Sequence, residues 1–238
     1  DANMAEESDE LRPQQYRIDI YPSDNPEGLL PQSFMVDSLE QDLRNILIEM
    51  NPTISFSGQV EGYSIYPHSD DDVYIPGQNI QVEAFLELSK ANSISSASIN
   101  SDENGKFQIS APAEEDYALT ITPIAPSDIP FVVNEDFDLS QDQELNIDLG
   151  FGQPIYGKFT GLESYVDDAF VQLIDTQTGL KGPRSVLEDD ASFLLRAPLD
   201  RTDFILRLQG HDNETVPTLE IPFRIEVEDT PGEYLEVD

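Results

Sequence analysis

The feature that most constrains this chain is that it repeats itself. One segment begins at Tyr16, "YRIDIYPSDNPEGLLPQSFMVDSLEQDLRNILIEMNPTISFSGQVEG", and another at Tyr117, "YALTITPIAPSDIPFVVNEDFDLSQDQELNIDLGFGQPIYGKFTG". Both open on an aromatic residue and an alternating strand, pass through a Pro-containing polar turn and an acidic stretch, and close on Gly-x-Val/Phe-x-Gly. Tyr16 and Tyr117 are 101 residues apart, and Gly58 and Gly157 are 99 apart. A third start appears at Phe204, with "FILRLQGHDNETVPTLEIPFRIEVED".

The remainder of the unit recurs as well. "NIQVEAFLEL" followed by "ASINSDENGKFQISAP" matches "AFVQLIDTQTG" followed by "RSVLEDDASFLLRAP", so that Ala111–Pro112 corresponds to Ala197–Pro198 and Phe107 to Phe193. Each unit is the size of a small domain. The expected organisation is an acidic, disordered leader over residues 1–10, a β segment over 11–53, one module over 54–153 and a second over 154–238. Residues 11–53 read as the back half of a module without its front: either the chain is cut from something longer or these strands complete the first module's sheet, and packing on the first module is favoured because it covers an exposed edge.

Inside the units the texture is short and alternating. "YRIDIYP", "KFQISAP", "YALTITP", "SFLLRAP" and "FILRLQG" place apolar residues at every second position between Pro, Gly, Asn and Asp, the pattern of half-buried strands joined by turns. Only "VDSLEQDLRNILIEM" (36–50) has helical spacing, through Leu39, Leu43, Ile46 and Met50; the repeat favours a strand, "RNILIEM", instead. The expected fold is all-β, as tandem Greek-key β-sandwich modules with little helix.

Composition narrows the function. The chain of 238 residues carries 48 acidic and 12 basic residues, a formal net charge of −36. Nucleic acid and anionic membrane surfaces are repelled by such a balance, because phosphate binding needs clustered Lys and Arg. Most of this charge is expected to form a solvated surface, with multivalent cations and basic partners as the other readings. There is no cysteine, which removes disulfides, thiolate nucleophiles and cysteine-ligated zinc. His68 and His211 are the only histidines, too few for imidazole-based catalysis or a poly-His metal site. No apolar run approaches the ~18 residues of a membrane span.

The series Gly58-x-Val60-x-Gly62, then Asp102-x-Asn104-Gly105-Lys106-Phe107, then Tyr117-x-Leu119-x-Ile121-x-Pro123 resembles the carboxypeptidase regulatory-like modules of the transthyretin-like, Ig-like β-sandwiches. The second copy keeps Gly157, Phe159, Gly161, Phe193, Pro198 and Phe204 but has "EDDAS" where the first has "DENGK". The likeness covers about 180 residues. It implies a seven-stranded Greek-key sandwich serving as an accessory, adhesion or spacer module of secreted or surface proteins, without catalysis of its own.

"NSDENG" (100–105) has the oxygen ligands and glycine of a calcium loop's front half, but position twelve is Ala111 rather than a bidentate Glu, and the flanks are strands. A hairpin turn with positive φ at Asn104 and Gly105 is the expected outcome; Asp102 remains as a member of an irregular calcium site. "HSDDDVY" (68–74) offers Asp70, Asp71 and Asp72 to a cation. Tyr63, Tyr66 and Tyr74 flank the same loop and form the best aromatic cluster for a sugar. Alternation is expected to put several of the acids of "NEDFDLSQDQELNID" (134–148) on one sheet face, as suits an exposed strand and return loop, and Lys158 at an ordinary exposed strand position. Asn213-x-Thr215 fits a glycosylation acceptor. No nucleophile elbow, His pair or phosphate loop is present. The sequence therefore reads as a non-catalytic protein of the cell envelope or extracellular space, lipid-anchored or secreted, that presents loops and edges to a protein partner or a larger surface assembly, with glycan or calcium binding as the alternative.

Overall fold

The computed structural model describes residues 14–23, 29–38, 47–63, 79–91, 93–125, 129–211, 216–225 and 235–237. Among them the chain is built almost entirely of strands, and the sole helical element is a 3-10 turn at Val166–Asp168. An N-terminal hairpin pairs β1 (Gln14–Ile20) with β2 (Gln32–Ser38).

The first sandwich follows. Its strands are β3 (Thr53–Tyr63), β4 (Asn79–Gln81), β5 (Glu83–Ser89), β6 (Ala97–Asn100), β7 (Lys106–Pro112), β8 (Glu114–Ala125), β9 (Val132–Leu139) and β10 (Gln143–Asp148). One sheet centres on β3, which takes β10 in parallel on one side and β7 and β4 antiparallel on the other. The second sheet runs β6-β5-β8-β9.

The strand order then repeats. The second sandwich holds β11 (Gln153–Lys158), β12 (Ala169–Asp175), β13 (Lys181–Val186), β14 (Ser192–Ala197), β15 (Asp203–Gly210), β16 (Leu219–Arg224) and β17 (Leu235–Val237). Its sheets run β14-β11-β17 and β13-β12-β15-β16. Even the parallel pairing of the last strand with the first recurs, β17 on β11 as β10 on β3. Two tandem Greek-key sandwiches thus carry the same seven-strand plan, with β4 added to the first.

Alternation puts the core where the sequence places it. Phe56, Leu86, Phe107, Tyr117, Ile121 and Phe137 are buried between the first pair of sheets, and Phe107 and Phe137 both lie against Phe56 with ring centroids 4.9 Å away. Phe193, Leu195, Phe204, Leu206 and Leu208 do the same in the second. Each buried aromatic or aliphatic side chain contributes about 1.5–3 kcal/mol through removal from water.

Three expectations change. The hairpin β1–β2 does not complete a sheet of the first sandwich; the two strands pair with each other alone among the described residues. Nevertheless it is docked there, because the side-chain amide of Gln32, fully buried, exchanges two hydrogen bonds with the backbone of Asn51 (2.8 and 2.9 Å), and Ile94 N donates to Ser33 Oγ at 2.9 Å. In the 36–50 stretch, Val36, Asp37 and Ser38 end β2, while residues 47–50 are neither helix nor strand; 39–46 lie outside the described residues. Finally, Glu135, Asp136, Asp138, Asp142, Glu144 and Asp148 are all exposed, as expected, but strict alternation is not what exposes them. Register shifts in the β8–β9 pairing break the alternation, so Asn134, Glu135 and Asp136 are exposed in succession. The predicted leader, residues 1–10, lies outside the described residues.

Candidate functional site

Of the residues singled out from the sequence, Asp70, Asp71, Asp72, Tyr66, Tyr74, His68 and the Asn213-x-Thr215 acceptor lie outside the described residues. Asp102, in the turn between β6 and β7, and Tyr63, at the end of β3, are described. Among the described residues no group of three or more His, Asp or Glu is arranged to hold a metal ion.

Asp102 builds a turn. Its Oδ1 accepts from Asn104 N (2.9 Å) and Lys106 N (2.8 Å), while its backbone carbonyl accepts from Gly105 N (2.9 Å). Gly105 then presents its own carbonyl to Val60 N at 2.9 Å. The turn is not a hairpin within one sheet, as the sequence suggested. It carries the chain from β6 in one sheet to β7 in the other, and Gly105 alone, at φ +73°, takes the left-handed conformation. A Cβ at Gly105 would stand 2.4 Å from Val60 O, so glycine is required twice over, by conformation and by space.

Tyr63 ends β3 at the junction of the two sandwiches. Its ring stacks on Phe151 with centroids 4.3 Å apart and planes 16° from parallel, so one aromatic face is already covered. Beside it, the Arg196 guanidinium is 1% exposed, and its Nη1 donates to the carbonyls of Tyr63 and Phe151. A cation taken out of water has to be held by hydrogen bonds, and here those bonds clasp the end of β3 and the connection between the sandwiches.

The junction continues on the other sheet. Phe131, just before β9, and Val133, within it, belong to the buried cluster of the second sandwich rather than the first. Gly182 of β13 makes room for Phe131: a Cβ there would come within 2.8 Å of its ring. Further out, the Arg201 guanidinium spans the seam, with Nη2 donating to Glu135 Oε1 of β9 at 3.0 Å and Nη1 to Gln177 Oε1 at 2.9 Å, 3.6 Å from the buried Asp175 carboxylate. Asp175 is itself satisfied, accepting from Gln177 N (2.9 Å) and Thr178 Oγ1 (2.8 Å).

Sequence reasoning did not single out Arg196, Arg201, Phe131 or Asp175. The available signal was the repeat itself, since Arg196 stands where the first copy has Ser110, and an arginine is conspicuous in a chain with so few cations. Lys158 is exposed, as expected, and its Nζ pairs with Asp190 Oδ2 at 2.9 Å. His211 packs its ring on Phe170, with centroids 5.5 Å apart. Burial pushes the Tyr117 phenol up from its usual range, reinforced by the nearby Glu114, and its hydroxyl donates to Pro112 O at 3.1 Å. These arrangements hold strands and sandwiches together; none aligns a nucleophile with a base.

No family model matches the chain, and no curated protein sequence does. Among solved structures, the Bacillus anthracis TIE protein is similar over 94% of this chain and 40% of that one, at 11% identity and a TM-score of 0.26. The shaft pilin SpaA from Lactobacillus rhamnosus GG is similar over 77% of this chain and 96% of that one, at 6% identity and a TM-score of 0.24. The chain therefore spans less than half of the TIE protein.

Proposed function

We propose that this protein is a non-catalytic structural module pair of the cell envelope or extracellular space, a spacer that holds its loops and edges at fixed spacing for a protein partner or a larger surface assembly. In this reading residues 54–153 and 154–238 are two carboxypeptidase regulatory-like modules. The observation that carries it is the placement of Phe131 and Val133, residues of the first sandwich buried in the core of the second. Modules joined by a polar linker reorient freely, whereas a shared apolar core resists it. The acidic surface supports the same role, keeping such a spacer dispersed and away from nucleic acid.

The test is small-angle scattering combined with calorimetry. A spacer of this kind shows a single inter-module arrangement in solution and one cooperative unfolding transition. Phe131→Ala should split the transition and broaden the distribution of arrangements; independent transitions in the unmodified chain would sink the proposal. Hydrolytic turnover abolished by changing one or two acids would equally defeat the non-catalytic reading.

A further inference from the structure

The N-terminal hairpin is the same object as the last hairpin of a complete sandwich. Tyr16 of β1 faces Val36 of β2, and Tyr117 of β8 faces Phe137 of β9, with an identical separation of 20 residues. Phe204 and Phe223 make the corresponding pair of β15 and β16. By the 101-residue offset of the sequence repeat, Tyr16, Ile18 and Ile20 correspond to Tyr117, Leu119 and Ile121. Those three are buried in the first core with Leu86 and Leu88 of β5 and Phe56 of β3. Tyr117 is 0% exposed; Tyr16 is 49% exposed, and Ile18, Ile20 and Val36 on the same face are only half-buried.

The docking of the hairpin repeats too. The stretch leading into β2 meets the first sandwich through Leu30, Pro31, Gln32 and Ser33. Likewise the stretch leading into β9 meets the second sandwich through Phe131 and Val133. Ser110, at the position of Arg196 in the other copy, lines a groove of about 310 Å³ together with Leu30 and Pro31. The N-terminal hairpin therefore shares with β8–β9 the pairing of its leading aromatic residue, the alternation of its apolar face and its attachment to the sandwich that follows.

We infer that β1 and β2 are the back half of a third repeat, and that its apolar face is covered by the front half of that repeat, carried on the polypeptide preceding Asp1. The inference rests on the repeat architecture and stands apart from the role proposed above. In the first sandwich β8 lies between β5 and β9, whereas β1 has β2 on one side only among the described residues; the front half supplies a strand along β1 as β5 lies along β8. Two strands alone are marginal in water. The source follows from chain order. In both complete sandwiches the front strands, Thr53–Pro112 and Gln153–Ala197, precede the hairpin in the same chain. A second copy of residues 1–238 could donate such strands only by opening one of its own closed cores.

Hydrogen exchange read by mass spectrometry tests this on residues 1–238 and on the natural polypeptide extended upstream of Asp1. The extended chain should slow exchange of the β1 and β2 amides at least 100-fold relative to residues 1–238, and Tyr16→Asp should abolish that gain while leaving exchange of β8 and β15 unchanged. Equal exchange in the two chains overturns the inference. So does protection that appears in residues 1–238 alone as concentration rises, which would assign the face to a second copy. An upstream sequence without alternating strands overturns it as well.

Discussion

The turn at Asp102–Lys106 and the turn at Glu188–Ser192 perform one task with different residues. In the first, Asp102 N donates to Lys106 O, Gly105 N to Asp102 O, and Val60 N to Gly105 O, each at 2.9 Å. In the second, Glu188 N donates to Ser192 O and Ala191 N to Glu188 O, both at 2.8 Å, and Phe159 N to Ala191 O at 3.1 Å. The hydrogen-bond scheme is conserved between the two copies although "DENGK" and "EDDAS" share little. Ala191 even adopts the glycine conformation, at φ +64°. The difference teaches that the sandwich imposes this turn, and that residue type only sets how much strain the chain carries in making it.

Swapping the residues between the turns is the direct way to break that comparison. Gly105→Ala should have the largest effect, a loss of about 3 kcal/mol in chemical denaturation. A left-handed alanine costs about 1–2 kcal/mol, and the crowding against Val60 O adds about 1–3 kcal/mol because a backbone carbonyl of β3 cannot move aside cheaply. A loss below 1 kcal/mol would mean that the two turns are interchangeable. Asp102→Ala comes next, at about 1–2 kcal/mol, since the carboxylate accepts two amides but the site is exposed and water replaces part of the loss. No measurable loss would show that the backbone bonds suffice, as they do around Glu188.

The reverse exchange, Ala191→Gly, should change stability by less than about 1 kcal/mol. Relief of about 1–2 kcal/mol of left-handed strain is offset by losing a buried methyl, worth about 0.8 kcal/mol, and by the greater freedom of glycine in the unfolded chain. Destabilisation well beyond this range would assign the Ala191 methyl a packing role that outweighs its strain.

The repeat made the two sandwiches legible, and alternation around Phe107, Tyr117, Phe193 and Phe204 showed which face of each strand is buried. Gly105 was legible for the same local reason. Ala191 was not: alanine carries no turn signal, and its φ is dictated by β11 and β14 on either side. Arg196 was hidden by the same rule that revealed its neighbours, since alternation with Phe193 and Leu195 assigns it to the outside. That face is outside its own sandwich yet inside the junction, and no local pattern encodes where another sandwich will sit. Asp102 shows a different ambiguity. Ligand spacing for a cation and acceptor spacing for backbone amides call for the same residue types, and the structure gives one of its oxygens to amides.

The smallest effect separates the charges of the two turns. Asp190 accepts from Ser192 N at 3.0 Å and from Lys158 Nζ at 2.9 Å. The bonds from Ser192, then that from Lys158, hold its carboxyl below the usual carboxylate range, and the same pairing holds the Lys158 ammonium above its ordinary value. A carboxylate with a depressed folded pKa stabilises the fold above its unfolded pKa, and that contribution is lost as pH falls through the folded value. A lysine with a raised pKa contributes below its unfolded pKa, with the loss on the alkaline side. Both groups are exposed, so solvent screening keeps the contribution small. Asp190→Asn should therefore lower Tm slightly at neutral pH, with the difference shrinking in acid and shrinking again in 1 M salt. A difference that grows in acid would show that Asp190 acts through something other than its charge, and that the second turn, like the first, is held by hydrogen bonds to the backbone.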